Sequence, residues 1–379
     1  MKVPFLDLRA QDRTVGADVR AALAAVLEEQ QFILGPHLER FEAAMAAYCG
    51  VPHAIGVASG TDALALALAG LGVGPGTIVL TSPFSFFANA SVVVRLGARP
   101  LFADIDPHTF NLDPAAAAEV LRRADRPVAG VIPVHLFGRL ADMATLSTLA
   151  TRHGLWIVED AAQAVGARAS GVRAGAFARA GCLSFYPTKN LGALGDGGMV
   201  LTGDDALAAR VRRDRHQGQV APYVHEAVGL CSRLDALQAA ALGAKLPHLE
   251  AWNARRRTVA GWYAAAFTAA GLAGPLGAPL RLPEPAGEAH VFHQYVVRAR
   301  ARDALAAHLA AAGIGTQVYY RIPLHHQPAL APHALVPCAL PEAERAAAEV
   351  LALPLYPELT EAQAATVVEA VAAFYRSAS

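Results

Sequence analysis

Lysine is rare in this chain, since only Lys2, Lys189 and Lys245 occur among its 379 residues. Neither sign of charge prevails, because Lys+Arg and Asp+Glu both number 32. A neutral chain lacks the basic field that a dedicated nucleic-acid binder needs, so we expect no nucleic-acid partner. The scarcity of lysine draws attention to the setting of each one.

Cysteine is also scarce, and the four thiols lie far apart, at Cys49, Cys182, Cys231 and Cys338. None of them forms a CxxC pair, and no Cys/His pair has zinc-finger spacing, which excludes the common zinc modules. Free thiols scattered in this way fit a reducing compartment, so we expect a cytoplasmic protein. The N-terminus lacks the apolar core of a signal peptide, and no uninterrupted apolar run is long enough to span a membrane.

Apolar residues are plentiful, at 54% of the chain against 17% charged residues, so a large core is available. Short strand-like runs alternate with helical stretches at residues 54–58, 78–80, 99–103, 128–134 and 155–159. This alternation predicts an α/β fold in three layers, with a mainly parallel sheet between two layers of helices. Sheets of this kind hold their ligands at the carboxyl ends of the strands.

The length of the chain suits a large domain followed by a smaller one. We predict that residues 1–245 form the large domain, including N-terminal helices, one of which covers residues 17–34. Residues 246–379 are then a small α+β domain. Its predicted strands include residues 292–298 and 316–320.

The segment Ser59-Gly60-Thr61-Asp62 lies between a predicted strand and a predicted helix. A glycine followed by Thr or Asp as the N-cap leaves free backbone N–H groups at the start of the helix, and such groups bind phosphate. The alternative is an ordinary helix cap with no ligand.

A second motif, Glu159-Asp160-Ala161-Ala162-Gln163, follows a predicted buried strand. A carboxylate at this place either caps the next helix or meets the ring nitrogen of a pyridine cofactor. In the second case the carboxylate keeps the nitrogen protonated, so that the ring can act as an electron sink. Gln163 can then reach the hydroxyl group of the ring.

Lys189 lies in the run SFYPTKNLGALGDGG, which covers residues 184–198. Desolvation among apolar neighbours lowers the pKa of a lysine and makes a neutral, nucleophilic amine available. The glycines allow the backbone to pass close to a bound ligand. The alternative is a solvated loop lysine; a nucleotide P-loop is excluded, because no GxxxxGK[ST] pattern occurs.

Two further groups of side chains are candidates for ligand contacts. Phe86, in the aromatic run that also contains Phe84 and Phe87, either stacks on a planar ring or packs in the core. His325 and His326 are adjacent, and adjacent side chains are expected to diverge. We therefore predict no metal site there, and expect instead a loop near a substrate pocket.

Taken together, these motifs resemble the DegT/StrS family of sugar aminotransferases, which depend on pyridoxal 5′-phosphate (PLP) and have the aspartate aminotransferase fold (fold type I). The resemblance runs nearly from end to end. It also includes VPFLDL from residue 3, PVHLFG from residue 133 and SRLDALQAA from residue 232.

By this resemblance, Lys189 holds PLP as a Schiff base and moves a proton between substrate and cofactor, while Asp160 pairs with the ring nitrogen. The other implied cofactor contacts are Gly60, Thr61 and Ser184 at the phosphate, Gln163 at the ring hydroxyl, Phe86 on the ring face, and Asn190. The implied substrate contacts are Tyr186, Tyr319, Tyr320 and His325.

The resemblance also implies a homodimer with shared active sites, and transfer of an amino group, usually from glutamate, to a nucleotide-linked keto-sugar in amino-sugar biosynthesis. The chain departs from the family at two places. Cys231 stands where the family usually has an Asn that reaches the neighbouring subunit's cofactor phosphate, and a thiol is a poor phosphate ligand. Tyr319-Tyr320-Arg321 stands where His-Tyr-Pro is frequent, which bears on substrate choice.

Two other functions remain open. One is a regulatory protein that binds PLP without turnover, for which Cys231 is the only feature in favour. The other is a PLP-dependent sugar dehydratase or lyase, but relatives that became dehydratases replace the lysine with His, so Lys189 favours transamination. The lysine segment looks most like the 3-amino-sugar branch, while the sugar, the nucleotide and the aminated carbon stay open.

Overall fold

The computed structural model of the protein describes residues 1–274 and 278–377. In chain order its strands are β1 (His53–Val57), β2 (Ile78–Thr81), β3 (Arg99–Phe102), β4 (Gly130–Ile132), β5 (Trp156–Asp160), β6 (Arg168–Ala169), β7 (Val172–Arg173), β8 (Ala180–Ser184), β9 (Gly198–Thr202), β10 (Gln219–Ala221), β11 (Val224–His225), β12 (Leu280–Arg281), β13 (Tyr295–Ala299) and β14 (Val350–Leu353).

The helices are α1 (Leu8–Glu29), α2 (Pro36–Cys49), α3 (Gly60–Gly70), α4 (Ala88–Arg95), α5 (Pro114–Arg123), α6 (Met143–His153), α7 (Asp205–Asp214), α8 (Ala236–Lys245), α9 (Leu249–Ala269), α10 (Arg302–Ala311), α11 (Pro341–Glu349) and α12 (Glu361–Ser377). Short 3₁₀ helices cover Leu136–Gly138, Leu246–His248, Gly287–Ala289 and Leu324–His326. Within the described ranges, no helix has both the length and the apolar content needed to cross a bilayer.

A seven-stranded sheet in the order β1-β9-β8-β5-β4-β2-β3 organises the first part of the chain. The strands from β8 to β3 pair in parallel, whereas β9 is antiparallel to both β8 and β1. The predicted α/β fold with a mainly parallel sheet is therefore confirmed. Because β5 and β8 are parallel neighbours, with Asp160 opposite Cys182, their carboxyl ends lie at the same edge of the sheet.

The sheet lies between two layers of helices because both faces of its strands are apolar. Along β2, Val79 packs into a core with residues of α3 and α7, whereas Ile78 and Leu80 pack into a second core with residues of α5 and α6. Successive side chains of a strand point to opposite faces, so a continuous apolar run such as this one fills two cores at once.

Two predicted elements differ from those observed. The helix predicted over residues 17–34 is α1, which begins earlier, where the Asp7 side chain accepts a hydrogen bond from Ala10 N (3.0 Å), and ends before Gln30. The strand predicted over residues 316–320 is wrong. Only Gln317 pairs there, through one isolated antiparallel bridge to Ala352 of β14, and its neighbours make no ladder hydrogen bonds with that strand.

The C-terminal part has its own antiparallel sheet, β12-β13-β14, covered by α9, α10 and α12. Val3 is fully buried in the core of this part, since its N–H donates to Gly313 O (3.1 Å) and its carbonyl accepts from Gly315 N (2.9 Å). The domain boundary near residue 245 stays a prediction. The residues before α1 nevertheless pack with the C-terminal core, outside the range 246–379 assigned to it from sequence.

Candidate active site

Four chemically distinct groups meet at the carboxyl edge of the large sheet. Asp160 ends β5, Ser184 ends β8, Lys189 lies in the loop after β8, and Gly60 begins α3 directly after β1. The motifs that looked separate in the sequence are thus neighbours, because strands that are adjacent in the sheet carry them.

The start of α3 is suited to an anion. Ser59, rather than the expected Thr61 or Asp62, caps the helix by accepting a hydrogen bond from Asp62 N (3.1 Å). Asp62 is held in turn by the buried Ser232, whose hydroxyl donates to it (2.8 Å). Within the described chain the N–H groups of Gly60 and Thr61 find no acceptor, so they remain free for a phosphate.

Ser184 lies against this helix start. A Cβ atom on Gly60 would come within 2.7 Å of the Ser184 Cβ, so only glycine allows the helix to approach β8 so closely. The Ser184 oxygen accepts from Tyr186 N (3.3 Å) and keeps its own proton to donate. The two free N–H groups and this hydroxyl form a donor set that fits a phosphate ester.

Lys189 sits in a tightly packed turn. Its N–H donates to Tyr186 O (2.8 Å), and Lys245 Nζ, which is buried, donates to Gly192 O (2.7 Å). A Cβ on Gly192 would lie 2.3 Å from Pro187 O, so this glycine allows a close approach of protein backbone, where a bound ligand was expected. Burial lowers the pKa of the Lys189 amine to about 8, although Asp160 opposes this shift.

Asp160 is buried, and burial raises the pKa of its carboxyl group. The effect is opposed by a hydrogen bond from Ala162 N (3.2 Å), by the Lys189 charge and by the amide of Asn89, whose Nδ2 lies 3.5 Å from Asp160 Oδ2. A buried carboxylate of this kind needs a cation as partner. The protonated ring nitrogen of PLP meets that need.

Gln163 and Tyr320 form a second polar pair. Gln163 Oε1 accepts from Phe137 N (2.7 Å), which fixes the amide so that Nε2 donates to Tyr320 OH (3.2 Å). Burial raises the pKa of Tyr320, so its hydroxyl stays protonated as a donor. One residue expected at the cofactor and one expected at the substrate are thereby joined by a hydrogen bond.

The aromatic run around Phe86 includes a ring packed in the core and a ring free to stack on a ligand, which are the two alternatives left open by the sequence. Phe84 is fully buried in the core, whereas Phe86 is 57% exposed and lies 6.4 Å from Tyr320, measured between ring centroids. A ring that is exposed beside the polar pair is free to stack on a planar ligand. Tyr186 is also exposed.

Asn190 and His293 form a buried network behind Lys189. Asn190 Nδ2 donates to Asn253 Oδ1 (2.8 Å) and Val291 O (3.2 Å), so its Oδ1 is left to accept from His293 Nδ1 (3.2 Å). Burial and the Lys189 charge hold the pKa of His293 well below its usual range. Sequence reasoning missed His293 and the Asn89 contact, and it expected a cofactor contact from Asn190, whose side chain is occupied by protein groups.

His325 and His326 converge, contrary to the expectation that adjacent side chains diverge. Their Nε2 atoms lie 3.3 Å and 3.2 Å from the same carboxylate oxygen of Glu344. The short helix that carries both begins at Leu324, whose N–H donates to Pro83 O (2.7 Å). The histidines are thus tied to the loop that bears the exposed aromatic ring.

Cys231 is exposed, and its sulfur accepts a hydrogen bond from Arg233 (3.0 Å). Arg233 also contacts His216 Nδ1 (3.0 Å). The thiol is thus exposed to solvent beside an arginine, while the next residue, Ser232, is buried against Asp62.

Comparison with known proteins agrees with this geometry. A model of the DegT/DnrJ/EryC1/StrS aminotransferase family matches residues 13–372. A protein of Geobacillus stearothermophilus named pleiotropic regulatory protein is 46% identical over 377 residues, which cover 99% of each chain. The dTDP-3-amino-3,4,6-trideoxy-alpha-D-glucose transaminase of Streptomyces venezuelae is 46% identical over 372 residues, covering 98% of this chain and 95% of that one.

A solved structure gives the same result for the fold. The crystal structure of S. venezuelae DesV in complex with a ketimine intermediate superposes with a TM-score of 0.92 at 45% identity, and covers 98% of each chain.

Proposed function

This chain belongs to the DegT/DnrJ/EryC1/StrS aminotransferase family, and from that premise we propose that it moves an amino group from glutamate to a keto-sugar carried on a nucleotide. The observation that carries the proposal is the meeting of Lys189 and Asp160 beside a free phosphate cradle. The transaminase of S. venezuelae supports the sugar part, since its name specifies a dTDP-linked amino-sugar.

The residues of the site fit PLP, the cofactor of this family. Gly60, Thr61 and Ser184 would hold its phosphate, and Asp160 would keep its ring nitrogen protonated. Gln163 would donate to the ring hydroxyl, and Phe86 would pack against the ring. When bound, the cofactor supplies an electron sink for the carbon that loses a proton.

Lys189 is the base in this proposal. Its lowered pKa leaves a useful fraction of neutral amine near neutral pH, so Nζ can both attach the cofactor and take a proton from the substrate carbon. The packed turn around Gly192 fixes the backbone near Lys189, and the negative charge of Asp160 favours the protonated form of the amine.

Tyr186, Tyr319, Tyr320 and His325 are proposed to line the sugar pocket. Tyr320 is the best supported of them, because its hydroxyl is already hydrogen-bonded to Gln163 and its ring lies near Phe86. A sugar hydroxyl can replace or extend that hydrogen bond without a change in backbone position.

The experiment is a panel of dTDP- and UDP-linked keto-sugars offered to the holoenzyme with glutamate. We expect one nucleotide series to yield an amino-sugar. The Lys189→Ala protein should be colourless and inactive, and the matched control Lys2→Ala, which alters an exposed lysine, should keep full activity. A colourless Lys189→Ala protein that still transaminates would contradict the proposal.

A regulatory protein without turnover is the second candidate, since one relative is named as a regulator and Cys231 replaces the usual Asn. A single-turnover assay with glutamate as the only substrate distinguishes the two functions. A transaminase converts its cofactor to the pyridoxamine form and loses the visible absorbance band, whereas a binder without turnover keeps it. A sugar dehydratase or lyase would instead release water or ammonia without a second substrate.

We also propose a cytoplasmic homodimer, with nucleotide sugar and amino-acid donor as its ligands. The β10–β11 hairpin and the residues just after it expose apolar side chains to solvent, among them Tyr223, which is 95% exposed, and Val228. A second copy of the chain is the simplest cover for such a patch, and it would bring Cys231 toward the neighbouring phosphate cradle. The four free thiols support the proposal of a reducing, cytoplasmic compartment.

Light scattering after gel filtration tests the dimer. We expect the wild type to be dimeric and Tyr223→Ser to shift it toward monomer. Val336→Ser, which alters an exposed valine on another loop, is the control and should stay dimeric. A monomeric wild type would contradict the shared site.

A further inference from the structure

Asp160 depends on a small number of neighbours to stay ionised. Its Oδ1 accepts a hydrogen bond from Ala162 N, while its Oδ2 faces Nδ2 of Asn89. Among the described residues, Asn89 is the one whose side-chain amide lies within hydrogen-bonding distance of this carboxylate. The titratable groups that face this carboxyl are Lys189, His135, Tyr320 and Cys182. Of these four, Lys189 is the positive charge that lowers the pKa of Asp160 most.

His135 is held by two hydrogen bonds that do not involve Asp160. Its Nδ1 accepts from Ala141 N (3.1 Å), so the ring proton is on Nε2 and is donated to the buried Glu159 (2.9 Å). Both ring nitrogens are therefore engaged by other groups, and neither is left to donate a hydrogen bond to Asp160. The polar support of Asp160 Oδ2 therefore falls to Asn89.

Asn89 is fully buried in α4, and its amide is oriented by Thr81 on β2. The Thr81 hydroxyl has two acceptors in reach, Asn89 Oδ1 and Ile132 O (2.8 Å), but only one proton. When it donates to Asn89 Oδ1, the amide must present Nδ2 to Asp160, which suits a carboxylate. When it donates to Ile132 O, a flipped amide can donate to Thr81 and accept from a protonated Asp160.

The structure has the first of these arrangements, with Asn89 Oδ1 toward Thr81 and Nδ2 toward Asp160, and this arrangement suits the ionised carboxylate. We propose that Asn89, oriented by Thr81, is a positioning residue that holds Asp160 ionised and aimed at the ring nitrogen of the cofactor. The inference rests on the proposed function, because it concerns the same carboxylate and the same ring.

Asn89→Leu removes the donor at similar volume, and Thr81→Val removes the hydroxyl that orients it. We expect Asn89→Leu to weaken PLP binding about tenfold or more, as for loss of a hydrogen bond to a charged group. The pH midpoint of the visible band should rise, because a less positive ring nitrogen withdraws fewer electrons from the nitrogen that joins cofactor and lysine. Thr81→Val should shift both quantities in the same direction by a smaller amount.

Thr202→Val is the matched control. Thr202 is also a buried strand threonine whose hydroxyl donates to a carbonyl, Arg179 O (2.7 Å), but it does not touch Asp160. We expect it to leave the PLP dissociation constant and the pH midpoint unchanged. If Asn89→Leu does not fold, the isosteric Thr81→Val decides the question by the same two measurements.

A deaza analogue of PLP, with carbon in place of the ring nitrogen, separates positioning from mere packing. The loss of affinity in Asn89→Leu should be present with PLP and absent with the analogue, since no ring nitrogen then needs a charged partner. An equal loss with both ligands, or an unchanged affinity and midpoint in folded Asn89→Leu, would overturn the inference. Failure of the wild type to bind PLP would instead overturn the proposed function.

Discussion

Capture of PLP by the apoprotein should follow the ionisation of Lys189, because only the neutral amine attacks the cofactor aldehyde. Burial lowers the pKa of this lysine from 10.5 to about 8. Near neutral pH that shift increases the fraction of neutral amine roughly 300-fold. The rate of capture should therefore rise with pH and level off just above the pKa of about 8, well before the range of an ordinary lysine.

The assay is stopped-flow absorbance of the visible band that forms when apoprotein meets a limiting amount of PLP, repeated across the pH range. The variant Asp160→Asn makes the assay more specific for Lys189. Asp160 favours the ammonium form of Lys189, so its neutralisation should move the midpoint of the rate profile to lower pH. Pyridoxal, which lacks the phosphate, serves as a control against titration of the phosphate group of the ligand.

A midpoint near 10.5, the ordinary value for lysine, would refute the reasoning, because it would mean that Lys189 is solvated in the apoprotein. An upward shift in Asp160→Asn would refute the assignment of Asp160 as the neighbouring charge. A profile that is flat with pH would show that a step other than the attack limits capture.

Three other substitutions test separate parts of the site. Gly60→Ala places a Cβ 2.7 Å from the Ser184 Cβ, so the PLP dissociation constant should rise by about tenfold or more, as for a displaced hydrogen-bond set. Arg256→Met removes a buried guanidinium that donates to three backbone carbonyls, and should lower the free energy of unfolding by about 2–4 kcal/mol in urea titration. Tyr320→Phe removes the acceptor of Gln163, and should raise KM for the sugar substrate more than it lowers kcat.

The glycine and arginine substitutions each have a control of the same kind. Gly243→Ala adds a methyl group at an open helical position and should leave PLP binding unchanged. Arg257, one residue further along α9, is less buried, so Arg257→Met should lower the free energy of unfolding only slightly. An unaltered PLP constant in Gly60→Ala, an unaltered urea midpoint in Arg256→Met, or an effect of Tyr320→Phe on kcat alone would contradict the corresponding role.

The chemistry of the site could be predicted from sequence wherever it lies within one strand, turn and helix start. Asp160 and Gly60 follow buried strands directly, so local apolar patterning placed them at the carboxyl edge of a sheet. The fold class followed from the same alternation. Lys189 stood out because lysine is rare and because its neighbours are apolar or glycine.

Contacts between distant segments could not be predicted in this way. Gln163 meets Tyr320 across 157 residues, and Asn89 meets Asp160 across 71, because packing of whole elements brings them together. Val3 joins the C-terminal core for the same reason. The strand expected at residues 316–320 failed because pairing with β14 is limited to Gln317, and the local pattern carries no information on how far two segments run side by side.

The central claim is that Lys189 carries the cofactor, and borohydride reduction of the holoenzyme followed by peptide mass spectrometry tests it directly. The chain offers only Lys2, Lys189 and Lys245 as attachment points, so the result is unambiguous. We expect a pyridoxyl group on the Lys189 peptide and on no other. A label on Lys2 or Lys245, or a coloured Lys189→Ala protein, would contradict it.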